Sequence, residues 1–165
     1  KNKLWILHSM LLETSRFGAL EVDPNTVIIF TQPILGFQEY RRFILLPGPS
    51  SFLKWLQSTD SGDLAFILLD PKSVVPDYQV NLGEQELAEL AATRVEDLDI
   101  YTLVVVPQDP SRIRTNLKAP ILLNMKHRLG KQTILDNSDY PIQYYLSKSA
   151  ERVASKGVPN ARTDA

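Results

Sequence analysis

Prolines and other turn residues cut this chain into short β-type runs, and no other feature constrains its fold as much. Thr26–Thr31, Phe43–Leu46, Ala65–Leu69, Leu103–Val106 and Ile121–Leu123 are aliphatic or β-branched and bounded by turn residues. Between them, Asp23-Pro24-Asn25, Pro47-Gly48-Pro49, Asp70-Pro71, Val75-Pro76-Asp77 and Asp109-Pro110-Ser111 read as turns. Proline fixes φ and has no N–H to give to a ladder, so it ends strands and does not sit inside them. Leu20 and Val22 alternate with Glu21, while Phe17 falls out of that register across Gly18, which predicts a bulge or a tight turn there. Lys131–Leu135 and Tyr140–Tyr144 close the series.

One segment has helical character. Asn81-Leu82-Gly83 supplies a start, Glu84 and Glu86 suit the positive end of a helix, and Leu87, Leu90 and Ala91 fall on one face. A second short helix is expected over Leu146–Lys156, followed by a polar tail from Gly157. No strand–helix–strand alternation appears, which argues against a nucleotide-binding parallel sheet. Roughly eight to ten short strands with one clear helix predict a mostly β, single-domain fold: an antiparallel barrel-like or sandwich-like sheet with one or two short helices.

The 165 residues suffice for one domain with its own core. There is no cysteine, so a disulfide framework, a thiolate zinc site and a cysteine nucleophile are all excluded, and a reducing cytoplasm is the expected location. Lys1 and Lys3 before Leu4-Trp5-Ile6-Leu7 imitate a signal peptide, but His8 and Ser9 break the apolar run and no small-residue cleavage site follows. No stretch approaches the roughly 20 apolar residues that a membrane span requires. Residues 1–12 are therefore set aside as an N-terminal extension that need not be native, 13–146 are taken as the β domain, and 147–165 as a C-terminal helix and tail whose composition predicts mobility.

The search for reactive groups finds little. His8 lies in the extension, and His127, between Lys126 and Arg128 near Gly130, reads as part of a solvated hairpin. Two distant histidines without cysteine make no recognisable metal site, so no cofactor or metal is expected. Leu129-Gly130-Lys131-Gln132 imitates a phosphate loop, but Met125 stands where the first glycine belongs and Gln132 where Ser or Thr must follow the lysine. Gly48-Pro49-Ser50-Ser51 lacks the spacing of a nucleophile elbow. The expectation is a protein that is not an enzyme. The alternative from another class is a barrel that encloses a small ligand or acts as a hydrolase, and it requires a closed pocket with convergent polar groups.

Charge is unevenly spread although the net is −1. Residues 60–99 carry ten acids against Lys72 and Arg94, a net of −8, whereas 111–135 carry six bases and no acid. Two solvated faces would account for this, and so would an acidic surface for a basic partner. The basic stretch from Arg112 to Lys131 has no aromatic residue to stack on bases, so direct nucleic-acid binding is not expected.

The order of motifs resembles one family. Thr14-Ser-Arg-Phe-Gly18, Ile29-Phe30, Pro33-Ile-Leu-Gly-Phe37, Phe43–Leu46, Phe52-Leu-Lys-Trp-Leu-Gln-Ser58, Leu64-Ala-Phe66 with Asp70-Pro71, Asn116–Ile121 with Asn124, and Gly130-Lys-Gln132 with Tyr140 are similar to the flagellar assembly factor FliW. Each motif alone is weak; eight in this order, from about Glu13 to Leu146, are specific. The resemblance implies a β-barrel-like protein without catalytic activity that binds flagellin and the translational regulator CsrA in the cytoplasm. It would antagonise CsrA, and so couple flagellin synthesis to assembly. CsrA binds RNA and must present positive charge, so Glu84, Glu86, Glu89, Glu96, Asp97 and Asp99 are the candidates to face it. Flagellin termini call for an apolar groove, for which Phe37 and Phe52 are the candidates, although the same two rings also suit a core.

Overall fold

In the computed structural model, which describes residues 9–146, the strands form where the punctuation allows. The first two make a ribbon of their own. Strands β1 (Met10–Thr14) and β2 (Gly18–Val22) pair antiparallel, with Leu12 opposite Leu20. Gly18, at φ +67°, closes a tight turn in which Thr14 Oγ1 accepts from Phe17 N and donates to Gly18 O. Of the two outcomes expected at Gly18, this is the turn. Strand β1 begins at Met10, inside the stretch set aside as an extension.

Five strands then run antiparallel, each bonded to the next: β3 (Ile28–Phe30), β4 (Arg42–Pro47), β5 (Leu53–Ser58), β6 (Ala65–Leu69) and β7 (Asp99–Val105). The far end of β7 takes β8 (Arg114–Thr115). Strand β9 (Ile121–Asn124) returns to the near end of β7, pairing through Asp99–Tyr101, and β10 (Leu129–Gln132) pairs with β9. Because β10 also runs parallel to β3, the sheet closes into a seven-stranded barrel, so the barrel prevails over the sandwich. The β3–β10 seam is the one parallel pairing among the described strands. Closure removes sheet edges that would otherwise invite aggregation. Strand β11 (Tyr144–Tyr145) extends the sheet beyond β8.

Ile28, Phe30, Ile34, Phe43, Leu56, Leu68, Ile121 and Leu123 fill the barrel and are wholly inaccessible to solvent. At the seam, Gly130 lies opposite Phe30, and a Cβ there would stand 2.7 Å from the Phe30 ring. Glycine is the residue that lets the parallel strands close over that ring. A second core lies outside the barrel, where Leu90, Leu98, Leu117 and Leu122 pack with Tyr78, Val80, Ala92 and Leu135. Strand β9 is thus buried on both faces, Ile121 and Leu123 inward and Leu122 outward. Its sequence is accordingly a continuous apolar run, where one solvated face would have made it alternate.

The outer core is capped by α1 (Glu84–Glu89). Leu90 is buried as expected, but Ala91 is exposed and Ala92 takes its place inside. The chain leaves the helix at Leu90: Ala91 adopts φ +53°, and Ala92 N bonds back to Leu87 O at 2.8 Å. The helix expected over Leu146–Lys156, apart from Leu146 itself, and the tail beyond it lie outside the described residues.

Candidate partner-binding surface

The six candidate acids separate into two groups. Glu86 and Glu89 project from α1 onto Lys131 of β10, a residue only 7% exposed. Lys131 Nζ lies 2.8 Å from Glu89 Oε2 and 3.7 Å from Glu86 Oε1. Thr133 Oγ1 donates to Glu86 at 2.8 Å and Gln32 Nε2 to Glu89 at 2.9 Å. The hydrogen bond from Lys131 holds the Glu89 carboxyl below the ordinary carboxylate range, outweighing the opposing effect of burial. Asp97 is likewise committed. Its carboxylate accepts from Thr93 N, Thr93 Oγ1 and Arg94 N, and these bonds, led by the Thr93 backbone, lower its pKa. The carboxylates of Glu84, Glu96 and Asp99 are exposed and make no hydrogen bond or ion pair among the described residues. The contrast of charge along the chain is therefore partly internal: the acidic segment reaches the basic one through Lys131.

Asp99 reaches a second feature. With Asp70, Lys72, Tyr78, Leu98 and Tyr101, among others, it lines an open cleft of about 240 Å³. Burial, helped by the charges of Asp99 and Asp70, pushes the Tyr101 hydroxyl pKa up. Tyr78 stacks on Tyr140 with ring centres 4.5 Å apart and donates to Leu117 O at 2.7 Å, which makes it a fixed wall.

The candidate apolar residues do not share a groove. Phe37 packs edge-on against Phe66 at 4.8 Å, where Phe66 pairs with Leu56. Phe52 lies at the other end of the same ladder, beyond the Leu53–Leu69 pair, where its carbonyl accepts from Asp70 N. Both rings are half-buried, and Phe37 leans on the barrel core.

One aromatic surface escaped the sequence-based expectation. Trp55 of β5 carries the Arg16 guanidinium 4.5 Å above its ring and Phe17 edge-on at 5.6 Å. Arg16 and Phe17 form the tip of the β1–β2 ribbon, so the cluster arises from a contact between residues almost forty positions apart. Adjacent Arg-Phe at a turn was the only local sign. His127 is exposed in the β9–β10 turn, as expected. Asn124 fixes that turn by accepting from Lys126 N and His127 N, and its Nδ2 donates to Leu90 O at 2.7 Å.

Comparison with known proteins places this arrangement. The family model described as FliW protein matches residues 11–146. The chain belongs to the FliW family. A flagellar assembly factor FliW from Caldicellulosiruptor saccharolyticus is 34% identical over 141 residues, covering 86% of this chain and 93% of that protein. One from Thermoanaerobacter pseudethanolicus is 36% identical over 148 residues, covering 88% and 99%. A crystal structure of the flagellar assembly factor FliW superposes with a TM-score of 0.76 at 33% identity, covering 83% of this chain and 96% of that one. The FliW match takes in all of β1 except Met10, so the ribbon and its Arg16–Trp55 contact lie within the family's domain. No helix among the described residues is long and apolar enough to cross a membrane.

Proposed function

We propose that this chain is a flagellar assembly factor that binds flagellin and the translational regulator CsrA in the cytoplasm, antagonises CsrA, and thereby couples flagellin translation to assembly. It contacts neither nucleic acid nor membrane directly, needs no cofactor and catalyses nothing. The observation that carries this is the FliW family match across essentially the whole β domain. The barrel interior supports it, because eight inaccessible apolar side chains occupy the space that a small-ligand barrel would keep open. Free acids support the electrostatic half: the carboxylates of Glu84, Glu96 and Asp99 have no hydrogen-bond or ion-pair partner among the described residues, and complementary charge raises association rate and specificity. Glu86, Glu89 and Asp97 contribute to that field while holding α1 and the following turn in place. Phe37 and Phe52 serve as separate apolar contacts at opposite ends of the β5–β6 ladder.

Isothermal titration calorimetry of the purified protein against purified flagellin and, separately, against purified CsrA tests the proposal. Saturable binding to both at micromolar concentration is the expected result; heat changes no larger than dilution for either partner would remove that half of it.

A further inference from the structure

We propose that the open edge of β2 accepts an extended segment of another polypeptide, one in which basic and apolar residues alternate; this rests on the reading that the protein works by holding polypeptides. Closure leaves every barrel strand bonded on both sides, but the β1–β2 ribbon is a separate two-stranded sheet. Its β1 side is occupied near the tip. Ser15 N donates to Gly62 O at 3.1 Å, and Glu13 O lies so close to Gly62 that a Cβ there would overlap it.

The β2 side is different. Antiparallel partners alternate between pairs that exchange both backbone bonds and pairs that exchange none. The register sets Thr14 opposite Gly18 across the turn of residues 15–17, a pair that closes by exchanging bonds. Leu12–Leu20 and Met10–Val22 are then bonded too, and the N–H and C=O groups of Ala19 and Glu21 point away from β1. Among the described residues no backbone hydrogen bond from another element reaches them. Both residues are exposed. An exposed row of unpaired donors and acceptors is a template for one more strand.

The side chains specify that strand. Leu12, Thr14, Leu20 and Val22 lie on the covered face of the ribbon, half-buried or buried, while Leu11, Glu13, Ala19 and Glu21 share the exposed face. An added strand sets two residues beside Ala19 and Glu21 on the exposed face, and the residue between them beside Leu20 on the covered one. Lys or Arg complements Glu21 directly. Beside Ala19 a long basic side chain can lean over the small methyl group toward Glu13, which stands opposite Ala19 on β1. The residue between them extends the apolar cover of half-buried Leu20. The order is therefore basic, apolar, basic. A second copy of this chain is the wrong occupant, because its own β2 carries Glu21 as its one charged residue and would bring acid to acid.

The test is a titration of ¹⁵N-labelled full-length protein with the capped peptide acetyl-Thr-Lys-Val-Lys-Thr-amide, followed by NMR of the backbone amides and their hydrogen exchange. Saturable shifts at millimolar peptide, centred on Ala19 and Glu21, with slowed exchange of those two N–H groups, are the expected result. The same peptide N-methylated at both lysines keeps its charge, loses its donors, and should produce no such shifts. Glu21→Lys, an exposed change, should weaken binding about tenfold and should favour a peptide with glutamate in place of both lysines. No saturable shift, an equal response to the methylated peptide, shifts centred elsewhere, or a Glu21→Lys variant that binds like wild type would each overturn the proposal. So would a dimer of the free protein in sedimentation with the Ala19 and Glu21 amides already protected, since a second copy would then hold the edge. Flagellin and CsrA binding are measured separately, so their persistence beside a silent edge would defeat this inference alone, and their absence beside an intact peptide response would defeat the proposed function alone.

Discussion

Replacing Lys131 with methionine removes the ammonium that joins α1 to the barrel and keeps most of the apolar stem. The bond to Glu89 is short and charge-assisted, at 2.8 Å, between side chains that are 8% and 29% exposed. Hydrogen bonds to charged groups contribute roughly 1.5–3 kcal/mol, and the partial exposure of the glutamate places this one toward the lower end. The 3.7 Å approach to Glu86 adds little. The expected loss is about 2 kcal/mol, or a fall in Tm of roughly 4–8 °C for a chain of this size. Urea unfolding at pH 7 of wild type, Lys131→Met, Glu89→Gln and the double variant isolates the pair, with an expected coupling of about 1–2 kcal/mol. The sign with pH follows from the lowered Glu89 pKa. The stabilisation is complete above the unfolded carboxylate value, near pH ~4.3, and is lost as pH falls through the lower folded value. Lys131→Met should therefore show a flatter loss of stability in acid than wild type. Strict additivity in the cycle, or a variant as stable as wild type, would refute the view that this pair fastens α1.

Three further outcomes follow from the geometry. Gly130→Ala should cost roughly 1–3 kcal/mol by urea unfolding, because its methyl group meets the Phe30 ring and Leu123 within about 3.0 Å, and adding Phe30→Leu should recover part of the loss. Asn124→Ala should cost about 2–3 kcal/mol by the same assay, since it strips the donor from Leu90 O and the acceptor from the β9–β10 turn. Reversing Glu84, Glu96 and Asp99 to lysine should leave Tm nearly unchanged and slow association with CsrA about tenfold at low salt in stopped flow, the difference shrinking as salt is added.

Much of the barrel was legible because its strands obey simple rules. The aliphatic runs at β3, β4, β6 and β9 fell between prolines, and α1 announced itself through early acids and spaced leucines. Strand β5 did not. Gln57 and Ser58 break its apolar pattern, yet both are fully buried because they serve the turn that follows, with Ser58 Oγ accepting from Asp60 N and Ser61 N. A polar residue buried to satisfy a neighbouring turn looks, in sequence, like the turn itself. Strands β8 and β11 are two residues each and exist only through tertiary pairing. Among the candidate surface residues, composition revealed the acidic segment. It could not reveal that Lys131, forty-two positions beyond Glu89, folds back to claim two of its acids.

Whether the protein releases flagellin mRNA from repression is decided most directly by translation in a purified system. With CsrA present at a concentration that silences the message, adding this protein should restore flagellin synthesis, and adding excess purified flagellin should silence it again. Translation that stays repressed at every concentration of the added protein would contradict the proposed function.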